Sequence, residues 1–401
     1  MEGSKHMLRR LAIASVLITA ACAGQQKKDA AAAAAATVQE RMRITNQPYF
    51  DVALCHPKQL TLPQPPNQGI LVGALVSTRP QVMECLVNPK SRGPAATTKV
   101  TVKTSVTDQA ATHTVTGENL TPEGQQCIQA VVDKAVQFQP LAKGAAPVEA
   151  DTQFIHELNN SPSITFGINE GSDFSGEIRL AQEQWCDCYA GYADKAPPVL
   201  TAKITLKKAS PTPADVTFEP SGSTEGDQLA ACLKQKIAAL PAKVKSDELS
   251  FPHRFVHFHS QVSEPAANLP PELRFYQLEL VRSQRASDAA IAFGTRANAA
   301  ETYDAIVAKY QKTKDWKLVP ELKEKCAALV KAADSWVSAL EAQQAVDQAT
   351  VTLVTELKAK DEGWATVETA SQGTLTNTQK DLETAKQRRQ QDEAACPKER
   401  K

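Results

Sequence analysis

Near its middle the chain spells out one unit twice. Lys99-Val100-Thr101-Val102-Lys103 recurs as Lys203-Ile204-Thr205-Leu206-Lys207, an offset of 104 residues. Cys85 and Cys188 lie upstream of these stretches, offset by 103, and Cys127-Ile128 and Cys232-Leu233 lie downstream, offset by 105. Three landmarks at nearly one spacing restrict the fold to two tandem copies of a small domain, each with a cysteine on either side of a strand.

Each copy reads in the same order. A short helix covers Pro80–Val87 in the first and Glu183–Gly191 in the second. Alternating apolar and polar residues then mark two strands, Thr97–Val106 with Thr112–Thr116 and Leu200–Lys207 with Asp215–Phe218. A second helix covers Thr121–Val136 and Thr224–Leu240, opened by a Thr121 cap with Pro122 at the first helical position and by Ser223 or Thr224. A last strand closes each copy, at Val148–His156 and Leu249–His259. This order is satisfied by an antiparallel sheet with both helices on one face, an α+β unit.

The start of the chain bears on its thiols. Arg9-Arg10 precedes the short apolar run Leu11–Ala21, which describes an export signal rather than a membrane span. Ala20-Ala21-Cys22 resembles the bacterial lipobox, although Thr19 departs from the Leu or Val usual three places before the cysteine. That resemblance implies removal of residues 1–21 and lipidation of Cys22. Residues 22–50, with seven alanines at Ala30–Ala36, then read as a tether. No aspartate follows Cys22, which by resemblance to lipoprotein sorting implies the outer membrane.

Of nine cysteines, eight remain after Cys22: Cys55, Cys85, Cys127, Cys186, Cys188, Cys232, Cys326 and Cys396. An even set in an exported chain, without any CxxC, predicts disulfides rather than a zinc ribbon or a redox motif. Two helices on one side of a sheet approach closely enough for Cys85–Cys127 and Cys188–Cys232 bridges. Each closes a loop of about forty residues, on the order of 3–4 kcal/mol in the chain-entropy model. Cys55–Cys186 is the economical remaining pair, with Cys186–Cys232 as the rival.

Composition shifts near Pro265. After a linker at Ala267–Pro271, one helix runs from Leu273 to Tyr310, breaks at Asp315-Trp316-Lys317, and Pro320 opens the next. Leu322, Cys326, Leu329, Ala333, Trp336 and Leu340 form a heptad seam. The midpoint of Cys326 and Cys396 is residue 361, beside Gly363. A single straight helix would hold those cysteines about 105 Å apart. An antiparallel helical hairpin turning at Gly363 would place them side by side, while a turn at Gln372-Gly373 would lose that staple.

The order of elements, the helix cysteines and the ending Phe251-Pro252-His253-Arg254-Phe255-Val256 resemble the TonB carboxy-terminal-like fold. The resemblance is closest to the AgmX/PglI-type domain of deltaproteobacterial envelope proteins. It covers roughly Gly69–His259 as two copies, the first without the Phe-Pro ending, and implies periplasmic partner binding without catalytic residues.

The expected organisation is therefore a leader (1–21), a tether (22–50), unit one (51–160), unit two (161–263) and a helical domain (264–401) of hairpin or coiled-coil type. Formal charge balances at 45 basic against 45 acidic residues, which excludes a nucleic-acid-binding charge pattern. His253, His257 and His259 share one strand face and suggest an alternative, a metal- or ligand-binding lipoprotein. The competing reading turns these histidines to the surface with Val256 and Phe258 inward. No nucleophile motif or phosphate loop stands out, so a hydrolase is the more remote alternative. No cofactor is expected. The expected partners are a membrane, through lipid on Cys22, and an envelope protein.

Overall fold

The computed structural model describes residues 49–52, 55, 62–157, 169–192, 195–258, 269 and 271–397. The expected leader, Cys22, most of the expected tether and His259 lie outside them. The architecture is α+β: two small antiparallel sheets followed by long helices.

In unit one, α1 (Gln68–Ser77) and α2 (Arg79–Val87) precede β2 (Thr97–Val106), β3 (Ala111–Glu118), α3 (Pro122–Ala135) and β4 (Val148–Glu157). The sheet order is β3-β2-β4, antiparallel throughout. Alternation in β2 buries Thr98, Val100, Val102, Thr104 and Val106 against the helices and leaves Lys99 and Lys103 outward. Unit two repeats the plan with α4 (Glu170–Gln182), α5 (Cys186–Tyr189), β5 (Val199–Lys207), β6 (Asp215–Phe218), α6 (Thr224–Ala238) and β7 (Glu248–Phe258). Its sheet gains a fourth strand, β1 (Tyr49–Asp51), parallel to β7, in the order β1-β7-β5-β6.

The caps follow the side-chain chemistry. Thr121 Oγ1 accepts from Gly124 N at the start of α3, and Ser223 Oγ accepts from Gly226 N at the start of α6. The helix expected at Pro80–Val87 is present as α2, whereas the first helix of unit two is corrected. The helix expected at Glu183–Gly191 shrinks to α5, because the chain turns at 183–185 after α4 ends. Each copy also carries an extra leading helix, α1 or α4. The run Ile70-Leu71-Val72-Gly73-Ala74-Leu75 is apolar on nearly every side, so it offers no period to read.

The four disulfides are Cys85–Cys127, Cys188–Cys232, Cys55–Cys186 and Cys326–Cys396, with Cα separations of 5.9, 5.6, 5.0 and 5.6 Å. The rival Cys186–Cys232 pairing is excluded, since both sulfurs are engaged elsewhere. Cys55–Cys186 carries the segment that bears β1 into unit two.

Helices α7 (Pro271–Thr313), α8 (Val319–Lys360) and α9 (Ala365–Ala395) form the helical part. The α8–α9 turn lies at residues 361–364, where Asp361 Oδ1 accepts from Gly363 N at 3.0 Å. The competing Gly373 sits inside α9. Beyond the expected hairpin, α7 packs beside α9 in parallel. Tyr303 Oη donates to Ala395 O at 2.7 Å, and Arg296 grips Asp392 with both a 2.8 and a 2.5 Å bond. Asp347 of α8 bridges Arg282 of α7 and Thr378 of α9. These buried polar layers fix the register of three helices.

Unit one docks on α7 through glycine. A Cβ on Gly73 would lie 2.9 Å from Ser287 O and Ile291 N, and one on Gly294 would lie 2.7 Å from Ile70 N. Asn67, the cap of α1, donates to Gly294 O and Asn298 Oδ1, both at 2.7 Å. Ser287 Oγ donates to Gly73 O at 2.7 Å.

Two substitutions test this arrangement. Cys326→Ala with Cys396→Ala should lower the stability of the helical part by about 2–4 kcal/mol in urea melts followed by tryptophan fluorescence. Gly73→Val should cost more than about 2 kcal/mol, because backbone rather than a flexible side chain blocks the new atoms.

Candidate functional site: sheet edges and buried histidines

A three-stranded sheet exposes two edges, and unit one treats its two differently. On β3, the outward carbonyls of Val115 and His113 accept from Gln125 Nε2 (2.9 Å) and Gln129 Nε2 (3.2 Å) of α3. His113 itself is held between Thr104 Oγ1 (2.8 Å) and Val136 O (3.0 Å), and burial lowers its pKa. That edge is closed to a further strand by side chains already bonded to it.

The β4 edge receives no such bond among the described residues. Its side chains Asp151, Gln153 and Ile155 are exposed, with Ile155 at 46%. In unit two the matching edge belongs to β7 and is occupied. Tyr49, Phe50 and Asp51 of β1 run parallel to Val256, His257 and Phe258. The same fold thus has one closing-strand edge filled by an extended segment and one unoccupied among the described residues.

The histidines of the closing strands lie inside. On β7, Phe251, His253, Phe255 and His257 share the face covered by α4, α5 and α6. This overturns the reading that turns them to the surface. Phe255, His253 and His257 are all at most 1% exposed. Val256 is buried on the opposite face, in a cluster it shares with Tyr276, Leu353 and Leu357 of the helical part.

His257 belongs to a directed chain: Gln182 Nε2 donates to Tyr189 Oη at 2.7 Å, Tyr189 Oη meets His257 Nε2 at 3.1 Å, and His257 Nδ1 meets Pro197 O at 2.7 Å. The Pro197 carbonyl can only accept, so Nδ1 carries the proton and Nε2 accepts from the tyrosine. Both nitrogens are engaged. Burial raises the Tyr189 pKa, which keeps that hydroxyl protonated.

No family model, curated protein or solved structure matches this chain. Its own second copy is the comparison that remains informative.

Strand register exposes a match between the copies that the linear sequence hides. Phe154 pairs with Val100 and His156 with Thr98, whereas Phe251 pairs with Ile204 and His253 with Ala202. Both closing strands therefore carry Phe-x-His at one structural position. The intervening residue is Ile155 in one and Pro252 in the other, which masked the likeness. A comparison anchored on the repeated central strand, rather than on spacing from the preceding helix, would have found it.

Both of these histidines are costly to protonate. Burial, reinforced by Arg92, pushes His156 down to about 4. Burial, reinforced by Arg179, pushes His253 down to about 3. His253 Nδ1 meets Ser175 Oγ at 3.1 Å, whereas its Nε2 and both nitrogens of His156 have no hydrogen-bond partner among the described residues. Arg179 forms a buried ion pair with Glu84 that crosses from unit two to unit one.

No group of three or more His, Cys, Asp or Glu among the described residues has a metal-holding arrangement. His259, the third histidine of the suggested set, lies outside them. All eight cysteines predicted to pair are bridged, so none is available as a thiolate ligand.

The depressed histidines set a pH dependence. Their folded pKa values lie below the ordinary 6.5, so protonation favours the unfolded chain. The stability at stake is complete above about pH 6.5 and is lost as pH falls from there toward 4. At pH 5 each site should cost about 2 kcal/mol. Denaturant melts between pH 7 and 5 should show this slope, and His156→Gln with His253→Gln should flatten it; an unchanged slope would assign the loss elsewhere.

Proposed function

We propose that this chain is a lipid-anchored, non-catalytic adaptor of the bacterial envelope that binds a protein partner through the open edge of unit one. One observation carries the reading. The closing-strand edge of unit two is already occupied by an extended segment, β1, and its counterpart on β4 is unoccupied among the described residues. Main-chain hydrogen bonds along such an edge hold an extended partner segment, and alternate side chains select it.

Several features support the envelope setting. Four disulfides suit an oxidising compartment. No single helix among the described residues is long and apolar enough to cross a membrane. Attachment through an acyl group on Cys22, as the lipobox-like start implies, provides an anchor that needs no such helix. The resemblance to TonB carboxy-terminal-like domains of AgmX/PglI type fits two tandem units that each offer one closing-strand edge. Outer-membrane sorting follows from the residues after Cys22.

The partner reading is tested with a photo-crosslinking side chain placed at Gln153 on β4 or at Thr114 on β3, expressed in the host. A defined adduct at Gln153 that is absent at Thr114 is expected. Equal labelling at both positions, or none at either, would overturn it. The anchor is tested on the same preparations by mass spectrometry: acylated Cys22 and no free thiols are expected, against unacylated cytosolic protein with titratable sulfhydryls.

A further inference from the structure

The tip between α7 and α8 holds a large apolar side chain in water. Trp316 is 74% exposed, while Leu318, two residues on, is buried. Of the three large hydrophobic side chains exposed among the described residues, Trp316 is the most exposed. Phe293, another of them, leans on Trp336 at 5.2 Å between ring centroids, whereas among the described residues no ring contact involves Trp316.

The loop that presents this indole is tightly bonded. Asp315 Oδ1 accepts from Lys317 N at 3.0 Å, Leu318 N donates to Asp315 O at 3.1 Å, and Lys314 N donates to Tyr310 O at 2.8 Å. Lys314 occupies a left-handed backbone position, φ 53°, where glycine or asparagine is usual. A lysine thus stands where the turn alone would favour another residue.

Charge surrounds the ring. Lys309, Lys312, Lys314 and Lys317 are all exposed. Asp315 is the one acidic residue between Lys309 and Lys317, and its carboxylate is bonded to the backbone. Lys323 is exposed one turn into α8, and Glu324 there is engaged by Lys325 at 2.9 Å. Past Asn298, where α7 last bonds the segment leading into α1, the helix continues for about 22 Å to the tip. The tip therefore stands clear of both α+β units.

We propose that this tip is an interfacial anchor for an anionic phospholipid bilayer, with Trp316 seated among the headgroups and the four surrounding lysines on their phosphates. An indole combines an apolar body with a polar N–H and is at home in the headgroup layer, where lysine stems also reach outward to charge. A convex helical end suits a flat, yielding surface. A nucleic acid would call for a groove-entering element or several aromatic platforms, and the tip has a single indole. The inference does not depend on the open β4 edge or on acylation.

The experiment uses the full-length chain carrying Cys22→Ser, so that no acyl chain forms, with vesicles of phosphatidylcholine containing roughly one-third phosphatidylglycerol, at about 0.1 M salt. Co-sedimentation should exceed that with pure phosphatidylcholine vesicles and fall as salt rises. Trp316→Ala should weaken it at least about fivefold, as should each charge reversal in Lys312→Glu, Lys314→Glu and Lys317→Glu. A blue shift of tryptophan emission on binding should disappear in Trp316→Phe. All of these side chains are exposed, and unchanged circular dichroism and disulfide content verify that each variant is folded. Equal binding by wild type and variants would overturn the proposal, because the leader then accounts for it. Tighter binding to duplex DNA than to anionic vesicles would overturn it in favour of a general polyanion site.

Discussion

The pairing of eight sulfurs is the constraint on which the rest depends. Each α+β core is small: the main cluster of unit one holds twelve buried side chains, with Phe154 its one buried aromatic. A core of that size offsets chain entropy only narrowly, and a bridge from helix to helix removes much of the disorder the unfolded chain would otherwise gain. Cys85–Cys127 and Cys188–Cys232 repeat one solution in both copies. Cys326–Cys396 applies the same logic to helices, joining residues 70 positions apart in sequence. Cys55–Cys186 differs, because it ties the segment beside β1 to unit two and stabilises an added strand of only three residues.

Between the parts, shape and charge divide the task. The α1–α7 contact relies on glycine, since Gly73 and Gly294 let two backbones meet at distances no side chain would allow. The unit one to unit two contact relies on Glu84 and Arg179, both nearly devoid of solvent. A buried pair of this kind adds little net stability, because desolvation offsets most of the attraction. Breaking it from one side leaves a charge stranded, so it discriminates strongly against other arrangements of the two units. The polar layers at Asp347 and Asp392 play the same part among the three helices.

The two copies are built alike and finished differently. Both place Phe-x-His on the closing strand with the imidazole turned inward and held neutral by burial. In unit two the strand also carries His257 within a bonded chain to Tyr189, and its outer edge is taken by β1. In unit one the strand has no neighbour on its outer edge among the described residues, while α3 glutamines close the opposite one. This contrast underlies the assignment of partner binding to unit one.

The sequence by itself determined the duplicated plan, the strands and the helix between them within each copy, the Thr121 cap and the Cys85–Cys127 pairing, while the structure chose Cys188–Cys232, the Ser223 cap and the turn at Gly363 from the alternatives the sequence left. What the sequence determined are local or periodic properties: alternation, capping chemistry and cysteines at repeated offsets. Only the tertiary structure decided which face of β7 turns inward, because His253 and Val256 alternate along one strand that is covered on both faces. The leading helices were also invisible beforehand, since α1 is apolar nearly all round and shows its period only against α7 and the sheet. Strand addition by β1 and the parallel packing of α7 on α9 join residues roughly a hundred or more positions apart, where no local pattern reaches.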